Sequence, residues 1–98
     1  MPELAILIVS HNTKHELETC LRSLRDHAPS TSHEIVVIDN ASKDGSADAV
    51  RSQWPEVRLI ALNANVGFAS ANNEGIRQTT SELILLLNSD TVVPAGAI

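Results

Sequence analysis

Four short polar segments carry the side chains in this sequence that could do chemistry. Asn88-Ser89-Asp90 follows the apolar run Leu83-Ile84-Leu85-Leu86-Leu87 and sets hard oxygen donors at the end of a buried strand. Mg and Mn favour such donors and complete their shell with water and substrate phosphate, so a divalent cation here could bridge the chain to a diphosphate. The same triplet is also good turn chemistry. Asp39 closes a second apolar run. Its carboxylate could accept from a base N–H or a sugar hydroxyl, as acidic residues at strand ends do in nucleotide sites, or it could start the turn Asp39-Asn40-Ala41-Ser42. Ser10-His11-Asn12 ends the first apolar run, and amides recur from Asn65 through Asn72 and Asn73 around Gly67. These amides fit ligand contact as well as they fit loop tethering. Asp44 reads as a cap for the helix that follows it, where an acid complements the positive helix end.

Other chemistries find no support. Neither G-x-G-x-x-G nor G-x-x-x-x-G-K-[ST] occurs, so no motif favours NAD or ATP. His11 and His15 are four apart, but one belongs to a strand end and the other to a first helical turn, with no third spaced ligand for zinc. No Ser-His-Asp grouping can be read from spacing alone. The single Cys20 falls on an apolar helical stripe and reads as a small core residue. Seven basic against twelve acidic residues give a net charge of -5, the wrong sign for holding nucleic acid through its phosphates.

The elements that must position these groups are legible from periodicity. With 98 residues, 43% of them apolar and 19% charged, the chain can bury a core as one domain. Residues 4 to 9 form a continuous apolar strand of the kind buried on both faces of a parallel sheet. Thr13 and Glu16 then match a capping box, and Leu17, Cys20, Leu21 and Leu24 make a helical core stripe. A strand over 35–38, a helix bearing Ala47, Val50 and Trp54 and stopped by Pro55, a strand over 57–62, a helix over 68–79 and a strand over 82–87 complete the order. Periodicity turns Ala69, Asn72 or Asn73, and Ile76 of the third helix toward the core. Strands alternating with helices indicate an α/β fold with a mostly parallel sheet, and in the order 3-2-1-4 every polar strand end reaches one rim. The longest apolar run has six residues against the about 20 that a membrane-spanning helix needs. A cytoplasmic location is expected, with peripheral attachment at the inner face of the cell membrane as a further option.

Taken together, Val9-Ser10-His11-Asn12, the stretch from Val37 to Ser46, the stretch from Asn65 to Gly75, and Leu87-Asn88-Ser89-Asp90-Thr91 resemble the amino-terminal half of family 2 glycosyltransferases. The likeness runs over nearly the whole chain and leans toward the bacterial rhamnosyl- and galactofuranosyltransferases of cell-surface polysaccharides. It implies a Rossmann-like GT-A fold, a UDP- or dTDP-sugar donor, a saccharide or lipid-linked acceptor, and inversion at the anomeric carbon. On this resemblance Ser10, His11, Asn12, Asp39, Asn65, Gly67, Asn72, Asn88 and Ser89 contact the nucleotide, with Asp39 receiving the base N3–H. Asp90 holds Mg or Mn where the family carries its D-x-D motif, whose first Asp is Asn88 here. The acceptor site and catalytic base would lie beyond residue 98, which makes residues 1–98 a truncated donor-binding domain prone to self-association. A non-catalytic nucleotide-binding or assembly module is the alternative, and an unrelated Rossmann-like enzyme a weaker one.

Overall fold

A computed structural model describes residues 2–98. Ile, Val and Leu runs without charges form the central strands, and each is followed by a helix whose apolar stripe folds back onto the sheet. The order is β1 (Leu4–Ser10), α1 (Lys14–Asp26), β2 (His33–Asp39), α2 (Ser46–Gln53), β3 (Arg58–Ala61), α3 (Phe68–Arg77) and β4 (Leu83–Asn88). All pairings are parallel, in the order β3-β2-β1-β4. Their register sets the polar ends level: Ser10 lies opposite Asp39, Val9 opposite Asn88, and Asp39 opposite Ala61.

Alternate residues of β1 feed two cores. Ile6 and Ile8 pack with Leu17, Leu21 and Leu24 of α1 and with Val50 and Trp54, while Ala5, Leu7 and Val9 pack with Val36, Ile38 and Ala71 of α3. Cys20 sits wholly buried in the first core. Burial, and secondarily the Asp90 carboxylate, push its thiol up to about 11, so it stays protonated and unreactive.

Two local expectations change. α3 buries Ala71, Asn72 and Gly75, while Ala69, Asn73 and Ile76 face outward. Small residues win the inner face because the helix lies very close to the sheet: a Cβ on Gly75 would stand 2.7 Å from Ile38 Cδ1 and 3.3 Å from Leu7 Cδ1. The Thr13–Glu16 capping box also does not form. Thr13 occupies the N-cap position without a side-chain cap bond, and the exposed amide of Lys14 is instead capped from another loop by Asp44 Oδ2 at 2.9 Å. As the edge strand, β4 leaves Leu83, Ile84 and Leu86 exposed. Among the described residues no helix is long and apolar enough to cross a membrane.

Candidate nucleotide site

Where β1, β2 and β4 end, the chain opens a cleft of about 470 Å³ lined by Val9, His11, Thr13, Asn40, Asn65, Gly67, Phe68, Asn88, Ser89 and Asp90. Its size falls in the ordinary range for small-molecule sites. Each wall is fixed by polar side chains that tie one strand end to the next.

The His11 ring is held on both nitrogens. Nδ1 lies 2.7 Å from the carbonyl of Asn40, which can only accept, so the proton is assigned to Nδ1 and Nε2 accepts from Asn12 Nδ2 at 3.3 Å. Asn12 in turn anchors the loop after β2: its backbone N–H donates to Ser42 Oγ at 2.8 Å and its Oδ1 accepts from Lys43 N–H at 2.7 Å. Asn12 adopts φ 53°, a left-handed conformation that asparagine tolerates better than most residues, and Ala41 in the tethered loop adopts φ 60°.

Asn40 builds the opposite wall. Only 3% exposed, it accepts from Val66 N–H through Oδ1 at 2.9 Å and donates to the Gly67 carbonyl through Nδ2 at 3.3 Å. Asn65 Oδ1 accepts from Gly67 N–H at 2.9 Å. Gly67 has φ 88° and ψ 163°, a backbone region nearly confined to glycine, and open space where a side chain would stand. Phe68, the first residue of α3, is 57% exposed at the cleft.

The floor is a chain of hydroxyls. Ser10 Oγ and Thr13 Oγ1 are 3.0 Å apart, and Thr13 Oγ1 and Ser89 Oγ are 3.0 Å apart, joining the ends of β1 and β4. The Asn88 carbonyl accepts from Thr91 N–H at 3.1 Å, so the Asn-Ser-Asp segment is a turn as well as a cluster of oxygen donors.

Of the residues singled out in the sequence, His11, Asn65, Gly67, Asn88, Ser89 and Asp90 meet in this cleft. Ser10, Asn12, Asp39 and Asn72 do not line it. Ser10 is wholly buried in the hydroxyl chain, and Asn12 lines a second, larger and slightly more open depression of about 590 Å³ with Lys14, His15 and Asp44. Asp39 is buried: Oδ2 accepts from Ser42 N–H at 3.0 Å, while Oδ1 has no hydrogen-bond partner. Asn72 is buried on the inner side of α3. Sequence reasoning missed Thr13, Asn40 and Phe68. Thr13 was masked by its match to a cap and Asn40 by its match to a turn, whereas Phe68, a lone aromatic beside a glycine at a helix start, carried a usable signal.

Asp44 braces the two helix starts behind the site. It caps Lys14 N–H of α1 and accepts from Ser46 N–H at 3.1 Å and from the Ser46 hydroxyl. Desolvation works to raise its carboxyl, but the bonds from Ser46 and Lys14 prevail and hold it below its ordinary 3.8.

The profile described as "Glycosyl transferase family 2" matches residues 5–98. The chain belongs to this family. Its parallel sheet and flanking helices are those of the GT-A fold. Among relatives of the family 2 chain is glycosyltransferase AglE of Haloferax volcanii, 23% identical over 94 residues that make up 92% of this chain and 31% of AglE. The mannosyltransferase PcManGT of Pyrobaculum calidifontis, solved with GDP-Man and Mn2+, superposes with a TM-score of 0.82 at 28% identity, over 96% of this chain and 29% of that one. TarS of S. aureus, solved with UDP-GlcNAc, superposes with a TM-score of 0.77 at 25% identity, over 90% of this chain and 26% of that one. The family 2 chain thus spans about a third or less of the length of these relatives.

Proposed function

We propose that the cleft binds the nucleoside diphosphate of a sugar donor, and that this chain is the donor-binding part of an enzyme that transfers the sugar to a hydroxyl of a saccharide or lipid-linked acceptor in cell-surface polysaccharide synthesis. The observation that carries the reading is the convergence of His11, Asn40, Asn65, Asn88, Ser89 and Asp90 from separate strand ends on one cleft. Two solved relatives hold GDP-Man and UDP-GlcNAc, which supports a nucleotide-sugar ligand.

The orphaned Oδ1 of Asp39 is a base-reading group in this account. A buried acceptor without a partner is costly, and a base N–H, N3–H of uracil or thymine or N1–H of guanine, would satisfy it on reaching the end of β2. Asn12 and Ser10 hold the strand end that frames the nucleoside, and Asn72 backs the α3 wall. Asn88 faces the ribose or phosphate.

The donor set suits a hard divalent cation. Asn88, Ser89 and Asp90 offer oxygens at the cleft, and among the described residues no three His, Cys, Asp or Glu side chains cluster as a closed cage. One carboxylate with substrate phosphates and water is how Mg or Mn is usually held, so Asp90 would be its protein anchor. When bound, the cation neutralises charge developing on the departing diphosphate. The transfer is an in-line displacement: the acceptor oxygen bonds the anomeric carbon as its bond to phosphate oxygen breaks, inverting that centre. The hydroxyl proton passes to a base outside residues 1–98. A cytoplasmic location with peripheral attachment at the inner membrane face suits such an acceptor, and the uncovered apolar edge at β4 supports self-association of these residues alone.

Amide chemical shifts followed during titration with UDP or GDP test the site. The signals of Asn65, Gly67, Asn88, Ser89 and Asp90 should move together, with Lys14, His15 and Gln53 of the second depression unmoved. Shifts confined to that second depression would refute the assignment.

A further inference from the structure

The turn that follows β4 is gripped from behind by a single helix. Thr13 Oγ1, at the start of α1, lies 3.0 Å from Ser89 Oγ. About two turns along, the Cys20 thiol points at the Asn88 carbonyl in a long 4.0 Å contact. Further along, Ser23 Oγ accepts from Val93 N–H at 2.9 Å, while it donates to the Cys20 carbonyl at 2.7 Å. Ser23 and Val93 are both buried. Three side chains of α1 therefore meet three points of residues 88–93, a segment about 70 residues away in the chain.

The Thr13 hydroxyl is the telling member. It stands at the N-cap of α1, where it would ordinarily bond an amide of its own helix, yet it makes no cap bond. Asp44 bonds the first helical amide, Lys14 N–H, while the Thr13 hydroxyl leaves the amides of His15 and Glu16 and lies against Ser10 and Ser89. A helix start that takes its cap from a distant loop and spends its own hydroxyl on the β4 turn is built to hold that turn.

We infer that Thr13 and Ser23 are positioning residues that fix the Asn88-Ser89-Asp90 turn against α1, so that the Asp90 carboxylate is preset for the cation–diphosphate pair. This rests on the nucleotide-site reading above and adds to it the element that sets the geometry. Ser23 pins the segment that leaves the turn through Val93, and Thr13 pins the turn itself through Ser89. Cys20 fills the space between them and, protonated, presents its thiol hydrogen to the Asn88 carbonyl.

The test compares wild type, Thr13→Val, Thr13→Ser and Ser23→Ala by amide hydrogen exchange and by binding of UDP and GDP with and without Mn2+. Thr13→Val should speed exchange at Thr91 and Ser23→Ala at Val93. Ser23→Ala, at a buried hydroxyl outside the cleft lining, should also weaken Mn2+-dependent nucleotide binding by roughly five- to tenfold, the loss of one hydrogen bond, while metal-free binding stays within about twofold. Thr13→Ser keeps the hydroxyl and should restore the wild-type exchange rate at Thr91. Unchanged exchange at Thr91 and Val93 would overturn the inference, and so would an equal loss of binding with and without Mn2+ in Ser23→Ala. If wild type binds neither nucleotide, the nucleotide-site reading fails by itself, and the exchange rates still decide whether α1 holds the turn.

Discussion

Replacing Asn40 with alanine removes both side-chain bonds that hold the loop after β3 against β2. Val66 N–H loses its acceptor at 2.9 Å and the Gly67 carbonyl loses its donor at 3.3 Å, while the bond from His11 to the Asn40 backbone carbonyl survives. Each such bond contributes about 1 kcal/mol net. Val66 and Gly67 are exposed enough for water to replace part of what is lost, so the expected cost is about 2 kcal/mol rather than the larger penalty of a sealed orphan. For a domain of this size that lowers the melting temperature by roughly 10 °C. Because Asn65, Gly67 and Phe68 form one wall of the cleft, nucleotide affinity should fall as well, by about tenfold. Urea denaturation gives the stability change, and calorimetric titration with UDP or GDP gives the affinity. Asn40→Asp separates the two bonds, since it keeps the acceptor for Val66 N–H and sets a carboxylate oxygen against the Gly67 carbonyl. A stability loss below about 0.5 kcal/mol for Asn40→Ala would refute the tethering argument, because surface substitutions alone stay within that range.

Gly67→Ala should destabilise by about 1–3 kcal/mol in urea denaturation although nothing stands within 4 Å of the new methyl group, because the cost lies in φ 88°, ψ 163° and not in space. An unchanged midpoint would place that backbone elsewhere. Asp44 titrates below its ordinary value in the folded chain, so its ionised form is the stabilising one. Its contribution is complete above about pH 4 and is lost as pH falls through the lower folded value. The stability gap between wild type and Asp44→Ala should therefore be steady near neutrality and close in acid, as thermal melts across pH 2 to 7 would reveal. Leu83, Ile84 and Leu86 stay exposed on the edge strand, so sedimentation should show association that rises with concentration and that Leu86→Lys reduces. A monomer at all concentrations would contradict it.

The strands were legible because Ile, Val and Leu runs admit few other readings, and the polar residue closing each run marked the rim. Their order 3-2-1-4 came from the winding rules of α/β sheets and the family resemblance and is the order observed. The stripe of Leu17, Cys20, Leu21 and Leu24 placed α1 correctly for the same reason. What stayed hidden depends on which neighbour lies nearest in space. Thr13 has the local pattern of a cap, yet a carboxylate from 31 positions along the chain reaches the helix start, and the hydroxyl turns to Ser89. Periodicity set the inner face of α3 on Ala69, Asn72 or Asn73, and Ile76. Asn72 does face inward, but the close approach of Gly75 to Ile38 puts the small residues Ala71 and Gly75 beside it in place of Ala69 and Ile76. Asp39 and Asn40 look alike as turn formers. Only the packed structure separates a buried carboxylate with an open oxygen from an amide that ties the cleft wall.

Calorimetric titration of the chain with UDP, dTDP and GDP, with and without Mn2+, beside the Asp90→Ala variant, decides whether the cleft is a metal-assisted nucleotide site. At least one of these nucleotides should bind, Mn2+ should tighten its binding, and Asp90→Ala should abolish the metal-dependent gain while the fold is retained. A folded chain that binds none of them, or an Asp90→Ala variant that keeps the full Mn2+ response, would contradict that assignment.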